Sequence, residues 1–230
     1  MENAYSFELK GDELHLKLGG GIPKSSMVLI EGVNGIGKSI FAQRFTFGAL
    51  QNGHSVSYIS TELPIAGFLN QMDSLRYGIR QEFLSGQLKF ISLFPAFGNI
   101  TFEPHMVKNI VASEEIFKSD IIVIDCLNDL LVRSDMDLKS CFELVERLKK
   151  IVSLGRAVVL CVEPNLIDKR LLPLLEGTSD IFLYLEEVEQ YGNKLNILHV
   201  KRFSGALGEL EKQIIFRVRP GIGLIVEIAS

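Results

Sequence analysis

Eight consecutive residues, Gly32, Val33, Asn34, Gly35, Ile36, Gly37, Lys38 and Ser39, match GxxxxGK[ST] in full. That spacing suits a triphosphate. Glycines at 32, 35 and 37 let the main chain wrap closely and aim amide N–H groups at phosphate oxygens. Lys38 reaches β- and γ-phosphates, and Ser39 offers a hydroxyl to magnesium. A helix starting at Lys38 adds its positive N-terminal end. In a chain of 230 residues a chance match is on the order of one in a hundred.

Magnesium calls for a carboxylate at the end of a second buried strand. IIVID, residues 121–125, ends on Asp125. A carboxylate there holds the ion, usually through a coordinated water. Taken alone, Asp125 fits equally well as a strand-end cap opening a turn at Leu127–Leu130.

The surrounding pattern supplies the elements that must position these groups. An apolar run at 27–31 precedes the loop; helical spacing follows from Ser39 to Leu50, with Gly53 as the stop. Strands are expected at 54–60, 87–93, 121–125 and 157–163. Between them, helices are expected from Pro64 to about Gly78, near 104–116, and from Asp137 to Ser153, where Gly155 ends the last. Fully apolar strands alternating with helices predict an α/β fold with a mostly parallel sheet covered on both faces. The tail differs: 180–188, 194–203, 212–219 and 222–228 read as successive strands, with Gly192-Asn193 and Pro220-Gly221 as turns. No repeat or linker interrupts the chain, so one domain spanning 1–230 is expected.

Composition narrows the function. Hydrophobic residues make up 47% and charged residues 23%, enough for a large core. A net charge of -4 disfavours a general nucleic-acid binder. Cys126, Cys141 and Cys161 have no CxxC spacing, and Cys126 and Cys161 lie in apolar runs, so buried thiols in a reducing compartment are expected. The start, MENAYSFELKGDELHLKL, carries no targeting pattern, and no apolar run is long enough to cross a bilayer. A cytoplasmic protein that docks on a membrane complex through partners is the expectation.

Five stretches together carry a family resemblance: LGGGIPKSSMVLIEGVNGIGKS (18–39), YISTELP (58–64), IIVID (121–125), HVKRFSGA (199–206) and FRVRPGIGLIVE (216–227). They resemble the RecA superfamily in its KaiC-like branch, and over essentially the full length the chain is similar to archaellar (archaeal flagellar) motor components of that branch. The resemblance implies a RecA-like core with an antiparallel C-terminal extension, ATP and Mg2+ bound between subunits, and a hexameric ring. It also implies partners, the motor ATPase FlaI and the membrane protein FlaJ. Glu62 becomes the candidate base that orients or deprotonates water, typically worth about 10²- to 10⁴-fold in rate, with Thr61 beside it to position water or γ-phosphate. A solvated strand-end glutamate is the bland alternative. Lys201 and Arg202 become candidates for reaching a neighbour's ATP. KaiC relatives space that pair by one residue, whereas these are adjacent, so on a regular strand only one faces the nucleotide. A solvated basic pair is the alternative. Glu163 falls where a γ-phosphate sensor often lies, although a carboxylate there repels phosphate unless protonated or bridged by a cation. His199 carries no assigned role.

Three functions are compatible with these residues. The first is a nucleotide-regulated ring scaffold with slow or absent hydrolysis. The second is an active ring ATPase, motor or clock-like. The third, disfavoured by the acidic balance, is a DNA-handling RecA paralogue. Residues 94–104 (FPAFGNITFEP), with Phe97 and Phe102, read as an exposed docking patch or pore-facing loop, or else as a core-covering loop.

Overall fold

The computed structural model describes residues 3–94, 113, 115–133, 136–190 and 193–227. In chain order they form β1 (Ala4–Tyr5), α1 (Leu14–Lys17), β2 (Ile22–Pro23), β3 (Met27–Gly32), α2 (Lys38–Gln51), β4 (Val56–Ser60), α3 (Ile65–Ser74), α4 (Arg80–Leu84) and β5 (Leu88–Ser92). Then follow β6 (Ile121–Asp125), α5 (Leu127–Arg133), α6 (Leu138–Ser153), β7 (Ala157–Val162), α7 (Leu172–Thr178), β8 (Ile181–Gln190), β9 (Asn193–Phe203), β10 (Gln213–Arg219) and β11 (Gly223–Val226).

A nine-stranded sheet has the order β11-β10-β9-β8-β3-β7-β6-β4-β5. From β8 to β5 neighbours run parallel, and β9, β10 and β11 extend the sheet antiparallel. The expected α/β architecture with an antiparallel tail is therefore what the chain adopts.

Alternation along the central strands splits the core into two layers. Val28 and Ile30 of β3, Val123 of β6, and Val159 and Cys161 of β7 face the layer containing Phe41 and Phe45 of α2. Met27, Leu29, Ile122, Ile124, Val158 and Leu160 face the layer completed by Leu144, Val145 and Leu148 of α6. With both faces covered, these strands carry apolar residues on both sides, which is why their sequence shows no alternation.

Helix ends follow local chemistry. After α2, Gly53 takes φ 82°, and His54 N–H reaches Ala49 O at 3.0 Å while Gly53 N–H reaches Leu50 O at 3.0 Å, a Schellman close. Asp137 caps α6 by accepting from Ser140 N–H at 2.9 Å. The helix opened by Pro64 ends at Ser74, not near Gly78. Arg76 takes φ 60°, with Tyr77 N–H to Met72 O at 2.8 Å and Arg76 N–H to Asp73 O at 3.0 Å. The same close forms without a glycine, so its position is invisible to a glycine-based signal.

α2 is buried nearly all round because the N-terminal segment lies over it. Arg44, with 0% side-chain exposure, pairs with Asp12 at 2.6 Å and donates to Phe7 O at 3.0 Å. Most of the expected helix near 104–116 and of the loop 94–104, including Phe97 and Phe102, lies outside the described residues.

Candidate nucleotide-binding site

The site gathers at the carboxyl ends of β3, β4, β6 and β7. In sequence β3 leads to β4, yet β7 and β6 stand between them in the sheet. Open parallel sheets place ligands at such crossovers.

The turn after β3 depends on glycine for two reasons. At Gly32 a Cβ would lie 2.8 Å from Ile36 Cγ2 and 2.9 Å from Leu185 O, so close packing excludes a side chain. Gly35 and Gly37 take φ 79° and 105°, the left-handed region. A Cβ at Gly35 would meet nothing within 4 Å. The loop opens there into a cleft of about 370 Å³ lined by Asn34, Gly35, Gly37, Lys38, Ser39, Glu62, Asp125, Asp129, Glu163 and Leu166, among others.

Lys38 is buried at the start of α2. Its Nζ donates to Gly32 O and Val33 O, each at 2.9 Å, and stands 3.5 Å from Glu163 Oε2. Glu163 thus meets the ammonium that balances its charge, which answers the repulsion expected of a lone carboxylate near phosphate. Its main chain is clamped as well. Asn128 Nδ2 donates to Glu163 O, and Glu163 N–H donates to Asn128 Oδ1, both at 2.7 Å. Motif spacing does not single out Asn128; its one sequence signal is a polar residue in the mostly apolar stretch following Asp125.

Ser39 Oγ donates to Asp125 Oδ1 at 3.1 Å. Tyr58 OH donates to Oδ2 at 2.6 Å. Burial pushes the Asp125 carboxyl above its ordinary value, while hydrogen bonds from Tyr58, Ser39 and Cys161 and the Lys38 charge pull it back. Thr61 is fully buried, and its hydroxyl oxygen accepts from Cys126 N–H at 2.9 Å, with Asp125 O and Cys126 O at 3.3 and 3.4 Å. It therefore braces the Asp125–Cys126 main chain, whereas the adjacent Glu62 is exposed and lines the cleft. All three thiols are free and buried; burial pushes Cys126 up to about 11.

Lys201 and Arg202 lie apart from the cleft lining. Pairing of β8 with β9 shifts between Phe182, opposite Arg202, and Leu183, opposite Val200. Lys201 is the extra residue of this irregularity, so strict alternation does not apply to the pair. Both residues are exposed. Lys201 Nζ lies 5.4 Å from the centroid of the Tyr184 ring, and Arg202 donates to Glu176 O at 2.6 Å and Ser179 O at 2.8 Å. Arg202 thus caps the carboxyl end of α7. His199 pairs with Glu186 at 2.7 Å.

The fold and loop define a RecA-like, KaiC-like protein. The family model for the KaiC ATPase matches residues 11–163. A KaiC-like protein from Pyrococcus horikoshii OT3 shares the fold with a TM-score of 0.74 at 18% identity, covering 94% of this chain and 96% of that one. More specifically, the archaeal flagellar ATP-binding protein FlaH of Methanococcus voltae is 34% identical over 223 residues, 97% of this chain and 96% of its own. The crystal structure of flagellar accessory protein FlaH from Methanocaldococcus jannaschii superposes with a TM-score of 0.91 at 31% identity, covering 98% and 100% of the two chains. The chain belongs to the family of archaeal flagellar ATP-binding proteins FlaH. Among the described residues no helix is long and apolar enough to cross a membrane.

Proposed function

We propose that this chain is an ATP-dependent ring scaffold of the archaellar motor, folded as a single domain. In this proposal it assembles as a hexamer and docks FlaI and FlaJ at the membrane, hydrolysing ATP slowly. The observation that carries the proposal is the convergence of Lys38, Ser39, Asp125 and Glu163 on one cleft beside an open glycine loop. Residues 32–39 cradle the phosphates, and Lys38 exchanges its carbonyl contacts for β- and γ-oxygens. Ser39 Oγ and Asp125 Oδ1, 3.1 Å apart, are hard oxygen donors of the kind magnesium takes in small number beside substrate phosphates. The ion, when bound, neutralises charge on the phosphates.

Slow turnover is supported by Arg202, whose guanidinium is engaged by carbonyls of its own subunit. A finger aimed across a subunit border is worth roughly 10³ to 10⁵ in rate. Without one, turnover falls toward roughly 10⁻⁴ per second, the scale of a finger-less GTPase. Glu62 in the cleft favours the second reading, an active ATPase with this residue as base. Steady-state phosphate release separates the two. Scaffold behaviour gives turnover far below one per second, whereas rates above about one per second, abolished by Glu62→Gln, establish the motor.

A further inference from the structure

We infer that Tyr58 is a positioning residue for the magnesium-holding carboxylate, its hydroxyl fixing Oδ2 of Asp125 so that Oδ1 faces Ser39. The inference rests on the proposed role of Asp125 and Ser39 as the pair that holds the ion. Its basis is geometric. β4 and β6 run side by side with Ser60 opposite Asp125 and Tyr58 opposite Val123. Tyr58 thus starts two residues behind the carboxylate, and its hydroxyl comes within 2.6 Å of Oδ2.

The phenol has little freedom. Its ring is fully buried, 4.8 Å from the centroid of Phe68 and 6.0 Å from that of Phe90, and those two rings stack at 4.3 Å. Further along β4, Thr61 N–H donates to Asp125 O at 2.9 Å, and Cys126 N–H donates to Thr61 Oγ1 at 2.9 Å. β4 and the residue after it therefore hold Asp125 at both its main chain and its side chain. A buried tyrosine hydroxyl commonly finds some acceptor. Here the acceptor is the carboxylate oxygen not taken by Ser39, and the carboxylate torsion is otherwise broad. Partners that orient a metal ligand typically contribute about 10- to 100-fold to metal affinity.

The test is ATP binding by calorimetry across a magnesium titration and again in EDTA, on wild type, Tyr58→Phe, Asp125→Asn and the double variant. Tyr58→Phe is expected to raise the magnesium midpoint about tenfold and to leave EDTA-state affinity within about twofold. The double variant is expected to match Asp125→Asn alone, the signature of two groups acting through one carboxylate. A wild-type midpoint in Tyr58→Phe overturns the inference, as does an equal loss in EDTA, which marks a merely structural role. A wild-type midpoint in Asp125→Asn removes the ion-holding role itself, and the inference with it. Phe68→Leu, which loosens the ring but keeps the hydroxyl, is expected to raise the midpoint by less; no change there also contradicts the assignment.

Discussion

At the scale of single residues, the site is a set of charges taken out of water and matched to one another. Lys38 faces Glu163, and Asp125 is held by Ser39 and Tyr58. Glu31, the last residue before the glycine loop, is matched less well. It is 6% exposed and its Oε2 has no hydrogen-bond partner among the described residues. Burial and the neighbouring Glu176 carboxyl raise it to about 7, against a smaller opposing pull from Lys201. Between the ordinary carboxylate range and about 7 the folded chain keeps a proton that the unfolded chain has lost. Stability therefore falls as pH rises through that window, by about 1.4 kcal/mol per unit. Glu31→Gln is expected to raise the melting temperature at pH 8 and to leave it unchanged at pH 4, checked by thermal melts across pH. Equal effects at both pH values contradict this account.

At the scale of elements, what is legible in the sequence is what local chemistry determines. The strand ending at Asp125, the glycine loop and the capped helix after Asp137 all stand within a residue of their expected bounds, because a continuous apolar run, a turn glycine and a cap side chain act over short distances. Elements held by distant contacts are not legible. α4, α5 and α7 are short and owe their positions to the sheet, and the left-handed Arg76 that ends α3 carries no glycine signal. Tyr58 and Asn128 belong to this class as well, since Tyr58 acts from one strand on the next and Asn128 from α5 on the residue after β7, over sequence separations that motif spacing does not register. The N-terminal segment gives the sharpest case. It is tied to the buried face of α2 through Arg44, which meets Asp12 and Phe7 O only once the chain has folded. Arg44→Ala leaves Asp12 without this partner and is expected to cost about 3–5 kcal/mol. Replacing Arg44 by Met together with Asp12 by Leu is expected to cost far less, because both charges leave together. Chemical denaturation with urea measures both; equal losses would show that packing, not the ion pair, sets the cost.

At the scale of the whole molecule, one sheet divides the labour. Its parallel part presents the cleft, and its antiparallel extension carries Lys201 and Arg202 on an exposed surface. In the proposed ring that surface meets a neighbour, so nucleotide contacts from two subunits favour assembly by mass action. Native mass measurement is expected to show larger assemblies with ATP and magnesium than without, and no such gain for Lys38→Ala. Assembly independent of nucleotide would contradict the regulated ring.

The proposed function requires this cleft to grip a triphosphate. Isothermal calorimetry of ATP with magnesium against folded wild type and Lys38→Ala tests it most directly. Saturable heat is expected for wild type, with an affinity loss of at least about thirtyfold in the variant from removal of a buried charge worth about 2–5 kcal/mol. No heat from folded wild type, or equal binding by Lys38→Ala, would contradict it.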